Sequence, residues 1–146
     1  MMLGHQIAHR NVVSKYYHFK PEDLEIALED FVTILETNKY HPTGDMFFSM
    51  LSDPTADEMT VEIYMPIEED IFTPVLDEQM FFRSYFSITP MVMTRVIDNF
   101  NEQSQLKYWE LFDFLHREGL EQRTPVFVAY KTSHSGKTYV EMSVGV

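Results

Sequence analysis

Two glutamates in matching strand contexts are the residues of this chain best suited to chemistry. Glu62 lies in Thr-Val-Glu-Ile-Tyr and Glu141 in Tyr-Val-Glu-Met-Ser. A carboxylate on a sheltered strand face either finds a cation or has its pKa driven upward. Either outcome fits it for cation binding or general acid–base work. Period-two alternation sorts the two strands: Val61, Ile63 and Met65 read as a core face, with Thr60, Glu62 and Tyr64 on the other. Val140, Met142 and Val144 likewise read as core, which leaves Tyr139, Glu141 and Ser143 opposite. In the first strand of each half, Val12 and Tyr16, and Val92 and Val96, read as one face, placing Lys15 and Arg95 on the other. A glutamate and a basic residue per half are therefore expected to share a face. A structural ion pair or solvated charge would give the same pattern, and an exposed pair stabilises little.

Aromatic residues extend this candidate site. Tyr64, Tyr130 and Tyr139 are the tyrosines expected near Glu62 and Glu141, although alternation around Tyr130 is ambiguous. A phenol beside a carboxylate can position water or a flat ligand. Trp109, the only tryptophan, stands one step off the Tyr108–Leu111–Leu115 stripe of a helix. Core packing or a dimer contact is its ordinary role, and a ligand-stacking platform the alternative. The six histidines are scattered without zinc-site spacing, and cysteine is absent. No nucleophile elbow, Rossmann glycine pattern or kinase signature occurs, and Ser135-Gly136-Lys137 is too short for a phosphate loop. No cofactor and no metal are expected.

The elements that must position these residues recur in one order. Val12, Ser14, Lys15 and Tyr16 stand 80 positions before Val92, Thr94, Arg95 and Val96, as do Leu28, Phe31 and Leu35 before Tyr108, Leu111 and Leu115. Phe47 matches Phe127, and one residue fewer in the next loop brings Glu62 opposite Glu141 at 79. The first half reads as a strand over 7–19, then a helix opened by Pro21-Glu22-Asp23 with Leu24, Leu28, Phe31 and Leu35 on one face. Strands follow at Met46–Leu51 and Met59–Ile67. An acidic connector, Glu68–Gln79 with Pro74, leads to strands at Met80–Ile88 and Met91–Ile97 separated by a kink at Pro90. A helix from about Ser104 to Glu118 ends at Gly119, and strands at Val126–Lys131 and from Thr138 complete the chain. The predicted class is α+β. A tandem pseudo-twofold repeat of strand–helix–strand–strand units (7–67 and 80–146) forms one mostly antiparallel sheet, with helices on one face and a ligand groove on the other.

Composition bounds the function. The 146 residues are 45% hydrophobic and 23% charged, as in a folded single domain. The net charge of −12 argues against direct nucleic-acid binding and suits a cationic ligand, a basic protein partner or solubility alone. The N-terminus lacks a signal-peptide pattern and no apolar run is long enough for a bilayer, so a cytoplasmic location without membrane contact is expected.

Strand–helix–strand–strand units with Thr60-Val61-Glu62-Ile63-Tyr64-Met65-Pro66-Ile67 closing the first resemble the GyrI-like small-molecule-binding domains. These also serve as effector-binding domains of bacterial multidrug-responding transcription activators. Glu62 with Pro66-Ile67 matches the family's closing motif. Leu111-Phe112-Asp113-Phe114-Leu115, Gly119 and Val126-Phe127-Val128-Ala129-Tyr130 match its helix, glycine and tyrosine-ending strand, and Glu141 matches its pocket glutamate. Asn99-Phe100-Asn101 replaces the usual Gly-Pro-Tyr, and the chain ends Ser-Val-Gly-Val without the usual proline. The resemblance implies a cleft for lipophilic, often cationic, aromatic molecules with a buried glutamate as counter-ion. With only residues 1–6 ahead of it, a stand-alone binder or sensor is expected, as monomer or homodimer. Some family members resemble hydrolases of reactive electrophiles that use groove glutamates and tyrosine, so Glu62 and Glu141 would be catalytic in that alternative. A protein-interaction module gripping a basic partner through Glu68-Glu69-Asp70 is the third reading.

Overall fold

Long runs of β-branched and aromatic residues form the two longest strands of this protein, and a helix follows each. The computed structural model describes residues 1–73 and 78–146. Pro74, expected in the connector, lies outside the described residues. The order is β1 (Met2–Phe19), α1 (Leu24–Thr37), β2 (Phe47–Met50), β3 (Met59–Pro66), β4 (Met80–Val96), α2 (Phe100–Glu118), β5 (Val126–Thr132) and β6 (Thr138–Gly145). The fold is α+β, with six strands and two α-helices among the described residues, and the strand pairs set out below are antiparallel. Among the described residues no helix is long and apolar enough to cross a membrane.

The chain divides into two compact units, Ala8–Phe86 and Met1–Ile7 with Ser87–Val146. In the first, β3 is central. β1 pairs with it from Val12↔Pro66 to Phe19↔Met59, and β2 from Phe47↔Tyr64 to Met50↔Val61. α1 starts from a 3-10 turn at Pro21–Asp23, where proline and acidic side chains suit the first turn. Ala27, Phe31 and Leu35 are its buried residues, and Phe31 meets the Tyr17 ring edge-on at 6.5 Å. Tyr17 lies opposite Val61, so α1 covers the Val61–Ile63–Met65 face.

The sequence reading needs correction in β1. Lys15 lies opposite Ile63 and Tyr16 opposite Glu62, so Lys15 stands on the helix-covered face and not with the glutamate. Its ammonium pairs with Asp30 of α1 at 3.6 Å and with Glu78. Val12, Val13 and Ser14 are all buried, so residue type could not separate the two faces there. The other face of β3 is not open at its centre either, because Ser14, Ser49, Glu62 and Tyr64 are all buried.

In the second unit β6 is central, paired with β4 from Met91↔Gly145 to Val96↔Val140 and with β5 from Val126↔Val144 to Thr132↔Thr138. β4 runs unbroken from Met80 to Val96, where two strands, Met80–Ile88 and Met91–Ile97, were expected. Pro90 supplies no N–H, but its carbonyl accepts the Val146 N–H at 3.1 Å. α2 begins a turn earlier than its apolar stripe suggests, with Gln103 N–H donating to Asn99 O at 2.9 Å. It ends as expected at Gly119, whose φ of 66° suits a residue without Cβ. Leu120 N–H closes the last turn onto Leu115 O at 2.9 Å.

Candidate functional site

Among the described residues each unit holds one buried glutamate, in the strand flanked on both sides by its pairing partners, and the two differ in how completely they are satisfied. Glu62 is 4% exposed. Its Oε2 accepts the Ser14 hydroxyl at 2.6 Å and an Arg83 Nη1 N–H at 3.1 Å, while Oε1 accepts the Tyr64 phenol at 2.6 Å. Register explains the first contact, since Ser14 faces Tyr64 and Tyr16 faces Glu62 on that side of β3. Arg83 Nη1 also donates to Ser14 Oγ at 3.0 Å. Two hydroxyls and a guanidinium thus surround one carboxylate, the arrangement a buried charge requires.

The Tyr64 ring is held by an aromatic stack. Phe47, opposite Tyr64 in register, lies parallel to it at 4.8 Å, and Phe86 tilts against Tyr64 at 5.0 Å and Phe47 at 5.5 Å. The Arg83 guanidinium sits over the Tyr64 ring at 5.6 Å and the Phe86 ring at 6.0 Å. Burial first, then the hydrogen bond to Glu62, pushes the Tyr64 phenol well above the usual tyrosine range. It is a donor throughout physiological pH. Ser49 lies opposite Glu62 and is 1% exposed. It stands near enough to Tyr64 to pull the phenol back down, yet among the described residues its Oγ has no hydrogen-bond partner.

Glu141 is 7% exposed and far less occupied. Arg95 lies directly opposite it in register, as the sequence predicts, and Arg95 Nε reaches Oε2 only at 3.4 Å. The Arg95 guanidinium also sits 5.5 Å over the ring of Tyr139, two residues before Glu141 on the same strand face. His5 lies within electrostatic reach. Burial lowers its pKa, with Lys131 and Arg95 acting the same way and Glu141 opposing. Around Glu141 the structure gathers a carboxylate, an aromatic face and a half-exposed arginine seated on both.

Of the other residues picked from the sequence, Tyr64 is brought to Glu62 and Tyr139 to Glu141's face. Tyr130 lies opposite Val140, on the other face of its sheet. Trp109 is 47% exposed on α2, edge-on to Tyr108 at 5.0 Å and 6.5 Å from Phe112. Sequence reasoning missed Ser14 and Arg83. A lone arginine within Phe-Phe-Arg-Ser-Tyr was the available signal for Arg83.

Among the described residues one group of side chains could hold a metal ion: His41, Glu68 and Glu69 bring ligand atoms within 4.8 Å of one another. The bridge Pro42↔Ile67 draws them together. His41 Nδ1 and Glu69 Oε2 lie 2.7 Å apart, and the His41 N–H donates to Glu69 Oε1 at 2.9 Å. Glu69 raises the His41 pKa, and His41 lowers that of Glu69. The pairing accounts for this cluster without an ion.

Comparison with known proteins agrees with this architecture. The model of a family described as a domain of unknown function (DUF5085) matches residues 8–146. No curated protein matches the sequence. EcmrR, in a cryo-EM structure of its DNA complex, is similar with a TM-score of 0.71 at 12% identity, covering 97% of this chain and 55% of that one. The chain therefore spans about half the length of that protein. The EcmrR C-terminal domain alone gives 0.65 at 13% identity, over 99% of this chain and 98% of that one. A hydrolase from Listeria innocua gives 0.57 at 13% identity, over 97% and 90%. These likenesses show the fold, which is the GyrI-like one the sequence resemblance implies.

Proposed function

The chain belongs to the DUF5085 family, a domain of unknown function, and we propose that it is a small-molecule-binding module taking lipophilic aromatic cations at Glu141. The observation behind this reading is that Glu141, 7% exposed, meets among the described residues only one long contact, from Arg95 at 3.4 Å. A buried carboxylate keeps acceptor capacity that a single 3.4 Å contact does not fill. Arg95 occupies the place a ligand cation would take, between the carboxylate and the Tyr139 ring face. Its side chain is 50% exposed, so the guanidinium can move into water as the ligand's charge replaces it. His5, held towards its neutral form by burial, adds little competing positive charge there. The finer expectation of a twofold repeat with a ligand groove on the glutamate faces belongs to the same proposal.

The test is calorimetric titration with phenyltrimethylammonium and its neutral isostere tert-butylbenzene. The cation is expected to bind, the isostere much more weakly, and Glu141→Gln to lose roughly tenfold or more of the cation affinity. Equal binding of both compounds, or full affinity in a folded Glu141→Gln variant, would remove Glu141 from the site.

A hydrolytic reading has one observation in its favour, the 2.6 Å contact from the Tyr64 phenol to Glu62 in a buried setting. Both Glu62 oxygens already accept protein donors, so a water activated there competes with the Ser14, Tyr64 and Arg83 contacts. Turnover of a strained electrophile that disappears in Tyr64→Phe would favour this reading over binding alone.

A further inference from the structure

Glu62 already takes three protein donors, from Ser14, Tyr64 and Arg83, and is itself the counter-ion of Arg83. The unfilled group at that locus is Arg83. Both protons of its Nη1 are committed, to Ser14 and to Glu62. Among the described residues, Nε and Nη2 make no hydrogen bond, and the side chain is 38% exposed. Nε and Nη2 form the guanidinium edge that receives a carboxylate through two parallel N–H bonds. The edge is held in place, since Nη1 is tethered to Ser14 and Glu62 and the guanidinium carbon lies 5.6 Å from the Tyr64 ring centre and 6.0 Å from that of Phe86.

Flat apolar surface flanks this edge. Phe81 lies two residues before Arg83 on β4 and shares its strand face. Tyr16, opposite Glu62 in register, meets Phe81 edge-on at 5.6 Å. Both rings are exposed, although an aromatic side chain ordinarily gains most from burial. We infer that Arg83, with Phe81 and Tyr16, forms a second ligand site, selective for aromatic carboxylates and independent of the cation site at Glu141. The carboxylate would bridge Arg83 Nε and Nη2 while the ring stacks against Phe81. Because Glu62 already balances Arg83, ligand recognition depends on hydrogen-bond geometry more than on net charge. The chain's overall −12 slows the approach of an anion, but at physiological salt its field is screened beyond about 8 Å.

The experiment titrates the ¹⁵N-labelled protein with 2-naphthoate and, separately, with its neutral isostere 2-naphthamide, following the Arg83 Nε–H resonance. Naphthoate is expected to shift that resonance and to bind roughly tenfold more tightly than the amide, the preference of a charge-assisted bidentate pair. Replacing Arg83→Met together with Glu62→Gln removes both charges without stranding either, and should abolish naphthoate binding. Phe81→Ala alters an exposed side chain and should weaken it with the fold intact, so it carries the test should the double variant not fold. Phenyltrimethylammonium binding measured in Phe81→Ala should be unchanged, which separates this site from the one at Glu141. Equal affinity for acid and amide, or an Arg83 resonance unmoved by millimolar naphthoate, would overturn the assignment. So would undiminished naphthoate binding in a folded double variant or in Phe81→Ala.

Discussion

Ser14 and Glu62, 48 positions apart in the chain, are joined by a buried hydrogen bond of 2.6 Å. It is local to neither β1 nor β3 and exists only because Tyr16 is registered opposite Glu62. The serine hydroxyl is both donor to the carboxylate and acceptor from Arg83, so it knits three strands' side chains at one point.

Removing that hydroxyl should be costly for so small a change. Ser14→Ala takes one donor from a buried carboxylate and one acceptor from a guanidinium, without creating a large cavity. Urea unfolding is expected to show a loss of about 1.5–3 kcal/mol, the range for hydrogen bonds to charged groups. A change within experimental error would mean that Arg83 and Tyr64 hold Glu62 without Ser14.

Ser49 should behave in the opposite way. Among the described residues its buried hydroxyl has no hydrogen-bond partner, so deleting it removes a desolvation cost and little beyond a weak influence on Tyr64. Ser49→Ala should leave stability unchanged or raise it by about 1 kcal/mol. A loss of stability would show that the hydroxyl does bond Tyr64 or Glu62 in solution.

His5 and Glu141 should be linked in titration. Burial lowers the folded pKa of His5 below its ordinary 6.5, and Glu141 partly restores it. The stability this group contributes is therefore full above pH 6.5 and is lost as pH falls through the lowered folded value. In an NMR titration Glu141→Gln should move the His5 pKa further down. An upward or absent shift would mean that the carboxylate does not act on the imidazole.

His41 and Glu69 form an exposed pair with shifts of opposite sign. His41 is raised above 6.5, so its contribution is full below 6.5 and is lost as pH rises through the folded value. Glu69 is lowered below 4.5, so its contribution is full above 4.5 and is lost as pH falls through the folded value. The pair should act fully between pH 4.5 and 6.5. In Glu69→Gln the His41 titration should return towards 6.5, and no movement would show that another group, such as Glu68, sets it.

Much of the fold could be read from local pattern. Leu24, Leu28, Phe31 and Leu35 announced α1, and the apolar alternation around Glu62 and Glu141 announced β3 and β6, because burying one face imposes a period on the residues themselves. Gly119 marked the end of α2 because a left-handed residue is needed there. Arg95 was placed correctly beside Glu141, since Val92, Thr94 and Val96 line up with Val144, Met142 and Val140. The start of α2 was not legible, because Phe100 is followed by Asn101, Glu102 and Gln103, which carry no periodic apolar signal.

Lys15 marks the point where local pattern fails. By type it matches Arg95, yet it faces Ile63 where Arg95 faces Glu141. β1 carries Asn11 in a left-handed conformation, with φ of 56°, just before three consecutive buried residues, and counting by hydrophobicity across that point cannot fix the faces. Arg83 was overlooked for the same reason, since its partner Glu62 lies on a different strand. The sequence by itself determined which segments become helix and strand and that each half contributes a glutamate, because periodicity is a property of neighbouring residues. Only the tertiary structure decided that Glu62 takes three protein donors and Glu141, among the described residues, a single long contact from Arg95, because that depends on strand register and on which distant side chains reach each carboxylate.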